Sequence, residues 1–370
     1  MRDDIKMPKE NFKSDNVVAF IKEKINTGVF PIYSRLPSEN ELCKMLGVSR
    51  VTIRKALSIL KNEQLLESRQ GSGYYVCSNQ DNHLVLVILS TANTTFRFNE
   101  MYQGIQDYFS TTDFKPLLIL SDDNSEKESN LIKEYYQNNF KNMIISPCSS
   151  VDNLSLYHSL LKSNSNLVFI DTKPDLLNCN YVTSCNFTGG YTATKHLIDM
   201  GHRRIVFCAN KNIPNSNTVS ERFNGYKFAL EENGIEFDSK LVFENNFDSI
   251  KDFASNCVAN CLDATGFFCC SDAFALAISN LISQQKKKIA VIGFDNLSFS
   301  KTSIPSISTI DQNFYEIGRS AAEILYQKII NPNKCYFEAR YIPVKFIARN
   351  STLQFASLVD SELSSKQPLI

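Results

Sequence analysis

The 370-residue chain predicts an α/β protein in two parts: a small N-terminal head of helices and a hairpin, then a two-lobed α/β body. Three observations predict it. The length suggests two or three domains, at roughly 100–200 residues each. The hydrophobic pattern changes near residue 83, from helical spacing to short continuous apolar runs. The charge is unevenly shared: 39 basic and 39 acidic side chains cancel overall, yet residues 1–77 hold 13 basic against 9 acidic ones. A basic segment on an acidic body is a pattern of nucleic-acid-binding heads.

Composition excludes several classes. Apolar residues at 43% and charged residues at 21% rule out a wholly disordered or collagen-like chain. The longest clean apolar run, residues 84–89, is far short of the ~20 needed to span a bilayer. Residues 1–13 are polar and mixed in charge, unlike a signal peptide. An intracellular, cytoplasmic protein with no membrane partner is expected. The 11 cysteines, odd in number and irregular in spacing, read as reduced thiols. Cys257 and Cys261 lie a helical turn apart and Cys269-Cys270 are adjacent in an apolar run, but no C-x-x-C pair occurs. His83, His158, His196 and His202 are distant in sequence from both pairs. Buried small hydrophobes are therefore expected there, with no metal and no cofactor.

In the head, Val17, Val18, Ile21 and Ile25 recur at helical spacing after the caps Ser14 and Asp15, and Gly28 stops the helix. Pro37 enforces an extended entry to a second helix, where Ser38 and Glu41 have capping-box spacing. Gly47 ends that helix. Ser49 caps a third, with Ile53, Ala56, Leu57 and Leu60 as its apolar stripe. Two helices joined by a short turn containing glycine is the helix-turn-helix arrangement.

The third helix carries the chemistry. Its stripe leaves Arg50, Val51, Arg54, Lys55 and Ser58 on the outer arc, with Thr52 at the margin, in the turns that reach base edges in a major groove. Arginine matches guanine O6 and N7, and a good bidentate pair is worth ~1–3 kcal/mol of discrimination. A merely solvated helix would use Glu–Lys pairs, and residues 42–62 contain no acid. Two short strands follow, residues 65–69 and 74–76, around the tip Gln70-Gly71-Ser72-Gly73. Such a wing suits a minor groove or a flanking phosphate, since its glycines let the backbone approach closely.

Residues 35–76 resemble the winged helix-turn-helix of the GntR family of bacterial transcription regulators. The matching motifs are Leu36-Pro37-Ser38-Glu39, Leu46-Gly47-Val48-Ser49-Arg50, Thr52, Arg54 and the Gln70–Gly73 wing. The resemblance implies DNA contacts from Arg35, Ser49, Arg50, Thr52, Arg54, Gln70 and Gly71. Asn40 departs from the family, which often carries arginine there.

After a polar linker, residues 78–83, the body begins. Apolar runs at 84–89, 116–120, 143–145, 167–170, 204–207, 266–270 and 289–294 alternate with amphipathic stretches at 128–139, 189–200, 221–233 and 273–283. Strands apolar on both faces, alternating with helices, mean parallel doubly wound layers. The body is long for one sheet, so two lobes are expected. Enzyme motifs are missing: no G-x-x-x-x-G-K-[ST] loop, no G-x-G-x-x-G after a strand and no G-x-S-x-G elbow. His202, between a helix end and a strand, is expected to cap the helix rather than to catalyse. Asp171 and Asp295 stand at strand ends, where open α/β sheets place ligand-binding residues. No catalytic residue is assigned.

The body in turn resembles the effector domain of the LacI/GalR repressors, similar in fold to periplasmic sugar-binding proteins. The motifs are Gly189-Gly190-Tyr191, His196-Leu197, Gly201-His202-Arg203, Glu221-Arg222-Phe223-Asn224-Gly225-Tyr226, Ser271-Asp272-Ala273, Ile292-Gly293-Phe294-Asp295-Asn296, Ser308-Thr309-Ile310, Gln312 and Ile317-Gly318. The resemblance implies a periplasmic-binding-protein-like cleft in which Arg222 and Asp295 hold sugar hydroxyls, Gln312 borders the ligand and Ser271 faces it. The family often has asparagine at the Ser271 position. Phe96, expected in a loop after the first body strand, is a candidate for stacking on a sugar face, with core packing the alternative.

A GntR-type head on a LacI-type body resembles the arabinose-repressor group of GntR regulators. It implies a DNA-binding repressor of carbohydrate-use genes, relieved by a pentose such as L-arabinose. The expected partners are palindromic operator DNA, a small-molecule effector and a second copy of the chain. A purine or other non-sugar effector is one alternative, and a sugar-processing enzyme fused to a DNA-binding head another. The domain reading is head 1–77, linker 78–83, effector domain 84–350 and a peripheral tail 351–370.

Overall fold

The computed structural model describes residues 14–31, 34–63, 65–69, 72–77, 83–90, 95–138, 140–163, 165–209, 216–284, 289–331 and 337–353. The chain divides into two compact units, Met1–Leu84 and Val85–Ile370. Residues 78–82 of the expected linker lie outside the described residues.

In the first unit, helices α1 (Ser14–Asn26), α2 (Glu39–Leu46) and α3 (Arg50–Asn62) precede the hairpin β1 (Leu66–Arg69) and β2 (Gly73–Val76). Ser38 and Glu41 form the full capping box, and Gly47 ends α2 at φ 66°, in the left-handed region. Ser49 then accepts the backbone N–H of Thr52. The turn between α2 and α3 is thus specified at both ends by side chains; a serine cap is worth ~1 kcal/mol. Val17 and Ile21 of α1, Leu42 of α2, and Ile53, Ala56, Leu57 and Leu60 of α3 form one core with Leu66 and Val76 of the hairpin. Burying each Leu, Ile or Val side chain contributes ~1.5–3 kcal/mol, which is what a unit this small requires.

The second unit is two six-stranded sheets. The first lobe holds β3 (Leu84–Leu89), β4 (Lys115–Leu120), β5 (Asn142–Ile145), β6 (Asn166–Ile170), β7 (Asn180–Ser184) and β13 (Ala339–Ile342), in the order β13-β7-β6-β5-β3-β4. The second holds β8 (Ile205–Ala209), β9 (Val242–Glu244), β10 (Gly266–Cys269), β11 (Ala290–Asp295), β12 (Ser308–Asp311) and β14 (Lys345–Ile347), in the order β14-β12-β11-β10-β8-β9. The β3–β5–β6–β7–β13 and β9–β8–β10–β11–β12 ladders are parallel, and β14 is antiparallel at an edge. The chain passes between the lobes after β7, after β12 and between β13 and β14.

The helices are α4 (Thr95–Phe109), α5 (Ser125–Gln137), α6 (Leu154–Lys162), α7 (Asn186–Asp199), α8 (Asn217–Glu232), α9 (Ile250–Asn260), α10 (Asp272–Gln284), α11 (Ser298–Thr302) and α12 (Phe314–Ile330). The central strands are buried along all or nearly all of their length, which is why they read as apolar runs. Strand β7, which no apolar run announces, is buried with polar residues in it. Asn180 Nδ2 donates to the Leu167 carbonyl, and Thr183 Oγ1 to that of Asp171. Cys208, Cys257, Cys261, Cys269 and Cys270 lie within the second lobe's apolar core, as small hydrophobes do.

Two expectations are corrected. Ser351 and Thr352 do not begin a peripheral tail: they are buried, Ser351 Oγ donating to the Val291 carbonyl and Thr352 Oγ1 bonding Ser308 Oγ. The remainder of that segment, residues 354–370, lies outside the described residues. The carbonyls at the end of α7 are capped by the His202 backbone amide, on Leu197, and by Arg203 Nη1, on Ile198. The His202 imidazole is not the cap; its Nε2 is buried without a partner. Among the described residues, no helix is long and apolar enough to cross a membrane.

Candidate DNA-reading helix and effector cleft

Helix α3 buries Ile53, Ala56, Leu57 and Leu60 and turns its other face outward. On that face Arg50 and Arg54 are 58% and 62% exposed, with Val51, Lys55 and Ser58 exposed beside them. Ser49 Oγ and Thr52 Oγ1 bond each other at 2.8 Å. The helix itself lacks an acid, as its sequence says, but the first turn of α2 supplies one. Glu39 accepts from Arg50 Nε at 2.8 Å and from Arg54 Nε at 3.0 Å. The Arg50 hydrogen bond, with Arg54 beside it, holds the Glu39 carboxyl below its ordinary pKa. One carboxylate thus orients both guanidinium groups on the exposed face.

Arg35 belongs to the hairpin. It forms an isolated bridge with Tyr75, and its guanidinium covers Gly73, where a Cβ would lie 3.4 Å from Arg35 Nε. Gly73 has φ 101°, a conformation that favours glycine. Arg69, which sequence reasoning passed over, stacks on Tyr75 with its Cζ 4.2 Å from the ring centroid. Gln70 and Gly71 lie outside the described residues.

In the body, Arg222 of α8 is placed by a close helix–helix contact. A Cβ at Gly190 of α7 would come within 2.1 Å of the Arg222 carbonyl oxygen, so only glycine permits this approach. Arg222 is 5% exposed. Its Nε donates to Asn186 Oδ1 at 2.8 Å and its Nη1 to the Cys270 carbonyl at 2.7 Å. Its Cζ lies 3.8 Å from the Phe294 ring centroid, a cation–π contact. Asn186 carried no signal in isolation; it is the residue that opens α7.

Asp295 ends β11 at φ 117° and is 4% exposed. A strained backbone at a strand's carboxyl end is a feature of ligand sites. Gln312 Nε2 donates to Asp295 Oδ1 at 2.5 Å, and Ser184 Oγ donates to Gln312 Oε1 at 2.7 Å. Ser184 ends β7 of the first lobe, and Gln312 follows β12 of the second, so this pair spans two crossings between lobes. Burial pushes Asp295 up to about 6, against the fields of Arg222 and Arg97. Asp171, 8% exposed at φ 63°, follows β6, and its charge acts with burial to raise Asp295. Asp272 has a different task. It accepts from the Leu297 amide at 2.8 Å, Ser300 Oγ at 2.5 Å and Thr309 Oγ1 at 2.6 Å, an anchor for the segments around Asp295.

The structure thus brings Arg222, Asp295 and Gln312 together. Ser271 stands half-buried between β10 and α10. Phe96 is in the first turn of α4 rather than in a loop, and its side chain is outside the described residues. Phe294 is the aromatic face that Arg222 uses. Among the described residues, no group of His, Cys, Asp and Glu is arranged to hold a metal ion.

Comparison with known proteins accords with both parts. Residues 13–76 match the model for bacterial regulatory proteins of the gntR family, and residues 194–352 match that for a periplasmic binding protein-like domain. An arabinose metabolism transcriptional repressor of Halalkalibacterium halodurans is 25% identical over 335 residues, covering 85% of this chain and 88% of its own. The HTH-type transcriptional repressor PurR of Photobacterium profundum is 27% identical over 252 residues, covering 66% of this chain and 75% of its own. Among solved structures, a CelR–cellobiose complex of a transcriptional regulator superposes with a TM-score of 0.65 at 20% identity, covering 85% of this chain and all of the other. These relatives are transcriptional regulators, not enzymes.

Proposed function

We propose that this chain, which joins a GntR-family DNA-binding domain to a periplasmic-binding-protein-like domain, is a repressor that dissociates from a palindromic operator when a pentose such as L-arabinose enters its body. The observation that carries the sugar reading is the buried set of Asp295 and Gln312, at strand ends of the body, with Arg222 of α8. Polyhydroxyl ligands need several oriented donors and acceptors and are poorly gripped by apolar area alone. The name of the Halalkalibacterium halodurans relative favours arabinose among the sugars.

The head works as a phosphate- and base-reading surface. Arg50, Arg54 and Thr52 of α3 enter the major groove, Ser49 and Arg35 meet backbone phosphates, and the wing residues Gln70 and Gly71 approach the flank. One head reads half a site, so the chain acts as a two-fold dimer in the cytoplasm, where its operator is. In the body, Arg222 and Asp295 hold sugar hydroxyls, with Gln312 behind Asp295 and with Ser271 and Phe96 at the rim. Sugar binding draws the lobes together and alters the spacing of the two heads. A coupling of ~1–3 kcal/mol changes operator affinity 5–150-fold.

The test is a thermal-shift panel of pentoses, hexoses, their phosphates and purines on the purified protein. A ligand at 100 times its Kd adds ~2.7 kcal/mol of stability. A selective rise with L-arabinose is expected; a rise with purines alone overturns the sugar reading.

A further inference from the structure

Val51 is the second residue of α3 and is 78% exposed. At ~100° per residue it lies opposite the centre of the stripe formed by Ile53, Ala56, Leu57 and Leu60, by which α3 is buried. Its side chain therefore points straight out of the head. Around it on the same face stand Arg50, Arg54, Lys55 and Ser58, all exposed and all polar. Val51 is the one exposed apolar residue of α3, and it occupies the apex of that face. The fold gives no reason for it. Val51 has no part in the head's core, and valine is a poorer helix former than the straight-chain residues.

Its surroundings supply the reason. Glu39 fixes the guanidinium groups of Arg50 and Arg54 beside it, in the turns of such a helix that reach base edges. The floor of a major groove presents donors, acceptors and one apolar group, the C5 methyl of thymine. A valine set against guanine O6, adenine N6 or cytosine N4 would strip water from a polar group and give no hydrogen bond in return. Set against a methyl group it loses nothing and buries apolar surface. In a helix a valine is nearly confined to one χ1 rotamer, so its two methyls are held in place before contact. Arg54 lies three residues on, ~4.5 Å along the axis at 1.5 Å per residue. That is close to the ~3.4 Å step between base pairs, so the two side chains address neighbouring pairs.

We propose that Val51 is a specificity-determining residue of the operator contact, and that it reads a thymine, through its C5 methyl, next to a guanine read by Arg50 or Arg54. This rests on α3 being the reading helix and adds one base to what that helix selects. The arginines discriminate by hydrogen bonds; Val51 discriminates by refusing any base edge that needs one.

Deoxyuridine differs from thymidine by this methyl alone, so it tests the contact without changing a hydrogen bond. The probe is the duplex that the full-length protein enriches from a randomised pool. Each of its thymines is replaced in turn by deoxyuridine. The affinities of unmodified protein, Val51→Ala and Val51→Ser are read by fluorescence anisotropy. One thymine per half-site, beside a guanine, is expected to be sensitive. Loss of its methyl should weaken the unmodified protein roughly fourfold, the effect of returning one CH2 group to water. Both variants should bind the thymine probe more weakly and be indifferent to deoxyuridine at that position. A probe with no sensitive thymine, or a sensitivity that both variants keep, overturns the role of Val51 and leaves α3 as the reading helix. A probe bound equally well by unmodified protein, both Val51 variants and Arg50→Ala removes α3 from the operator contact, and this inference with it. A pool from which nothing is enriched overturns sequence reading by the head altogether.

Discussion

Arg50 and Arg54 show what a single side chain decides. Each is exposed, and each is held by Glu39 before any DNA arrives. Exposed ion pairs are worth little in stability, so the benefit of this one is orientation: two long side chains are held pointing one way. Arg50→Ala removes one bidentate donor. Specific operator affinity, followed by fluorescence anisotropy, should fall roughly 5–150-fold by loss of ~1–3 kcal/mol, with sugar binding unaffected. Unchanged operator affinity would remove α3 from the reading surface. In the proposed cleft, Asp295 is a stronger acceptor for a ligand hydroxyl when ionised. Its pKa is raised to about 6 by burial, so sugar affinity should hold above pH 7 and weaken as pH falls through about 6. Titrations between pH 5 and 8 check this; a flat profile would mean that the carboxylate does not touch the ligand.

At the scale of elements, the caps were legible because they act within a few residues. Ser38, Glu41 and Gly47 do in the structure what their spacing says they should. Ser38→Ala should cost ~1 kcal/mol, read as a lower denaturation midpoint of the head. The contact of α7 with α8 was not legible in the same way. Gly190 and Gly225 lie on separate helices, and each faces a backbone carbonyl across the interface, Arg222 O and Phe187 O. Gly190→Ala forces the helices apart by the width of a methyl group. It should destabilise the body by about 1–3 kcal/mol, the usual cost of overpacking, and weaken sugar binding because Arg222 rides on α8. Calorimetric melting together with titration tests both effects. A stable variant with lowered affinity would still place Arg222 in the site.

At the scale of the molecule, the buried histidines supply a pH response of the fold. The Nε2 atoms of His196 and His202 are buried without partners, and burial holds both imidazoles below their ordinary pKa, with His196 adding to the effect on His202. Protons therefore bind the unfolded chain better than the folded one. Stability from this pair is fully present above the unfolded value of ~6.5 and is lost as pH drops below it towards the folded values. Urea denaturation at pH 7.5 and 5.5 should show the loss, and His202→Gln should reduce it. The coupling between sugar and operator also belongs to this scale. Gln312 and Ser184 join segments where the chain crosses between lobes, so a ligand that engages Asp295 bears directly on how the lobes meet.

The sequence by itself determined the two-part organisation, the helix-turn-helix with its caps, the exposed basic face of α3, and the alternating layers of the body. All of these rest on local periodicity, or on residues that signal within a turn or two of chain. Arg222 and Asp295 were legible through motif resemblance, Asp295 also through its place at a strand end. The tertiary structure alone decided who faces whom: that Glu39 orders both arginines, that Asn186 and Phe294 cradle Arg222, and that Asp272 anchors the segments around Asp295. Those relations join residues from 11 to 72 positions apart. No periodicity reports such separations, because they arise only when strands align at one edge of a sheet and helices pack across it.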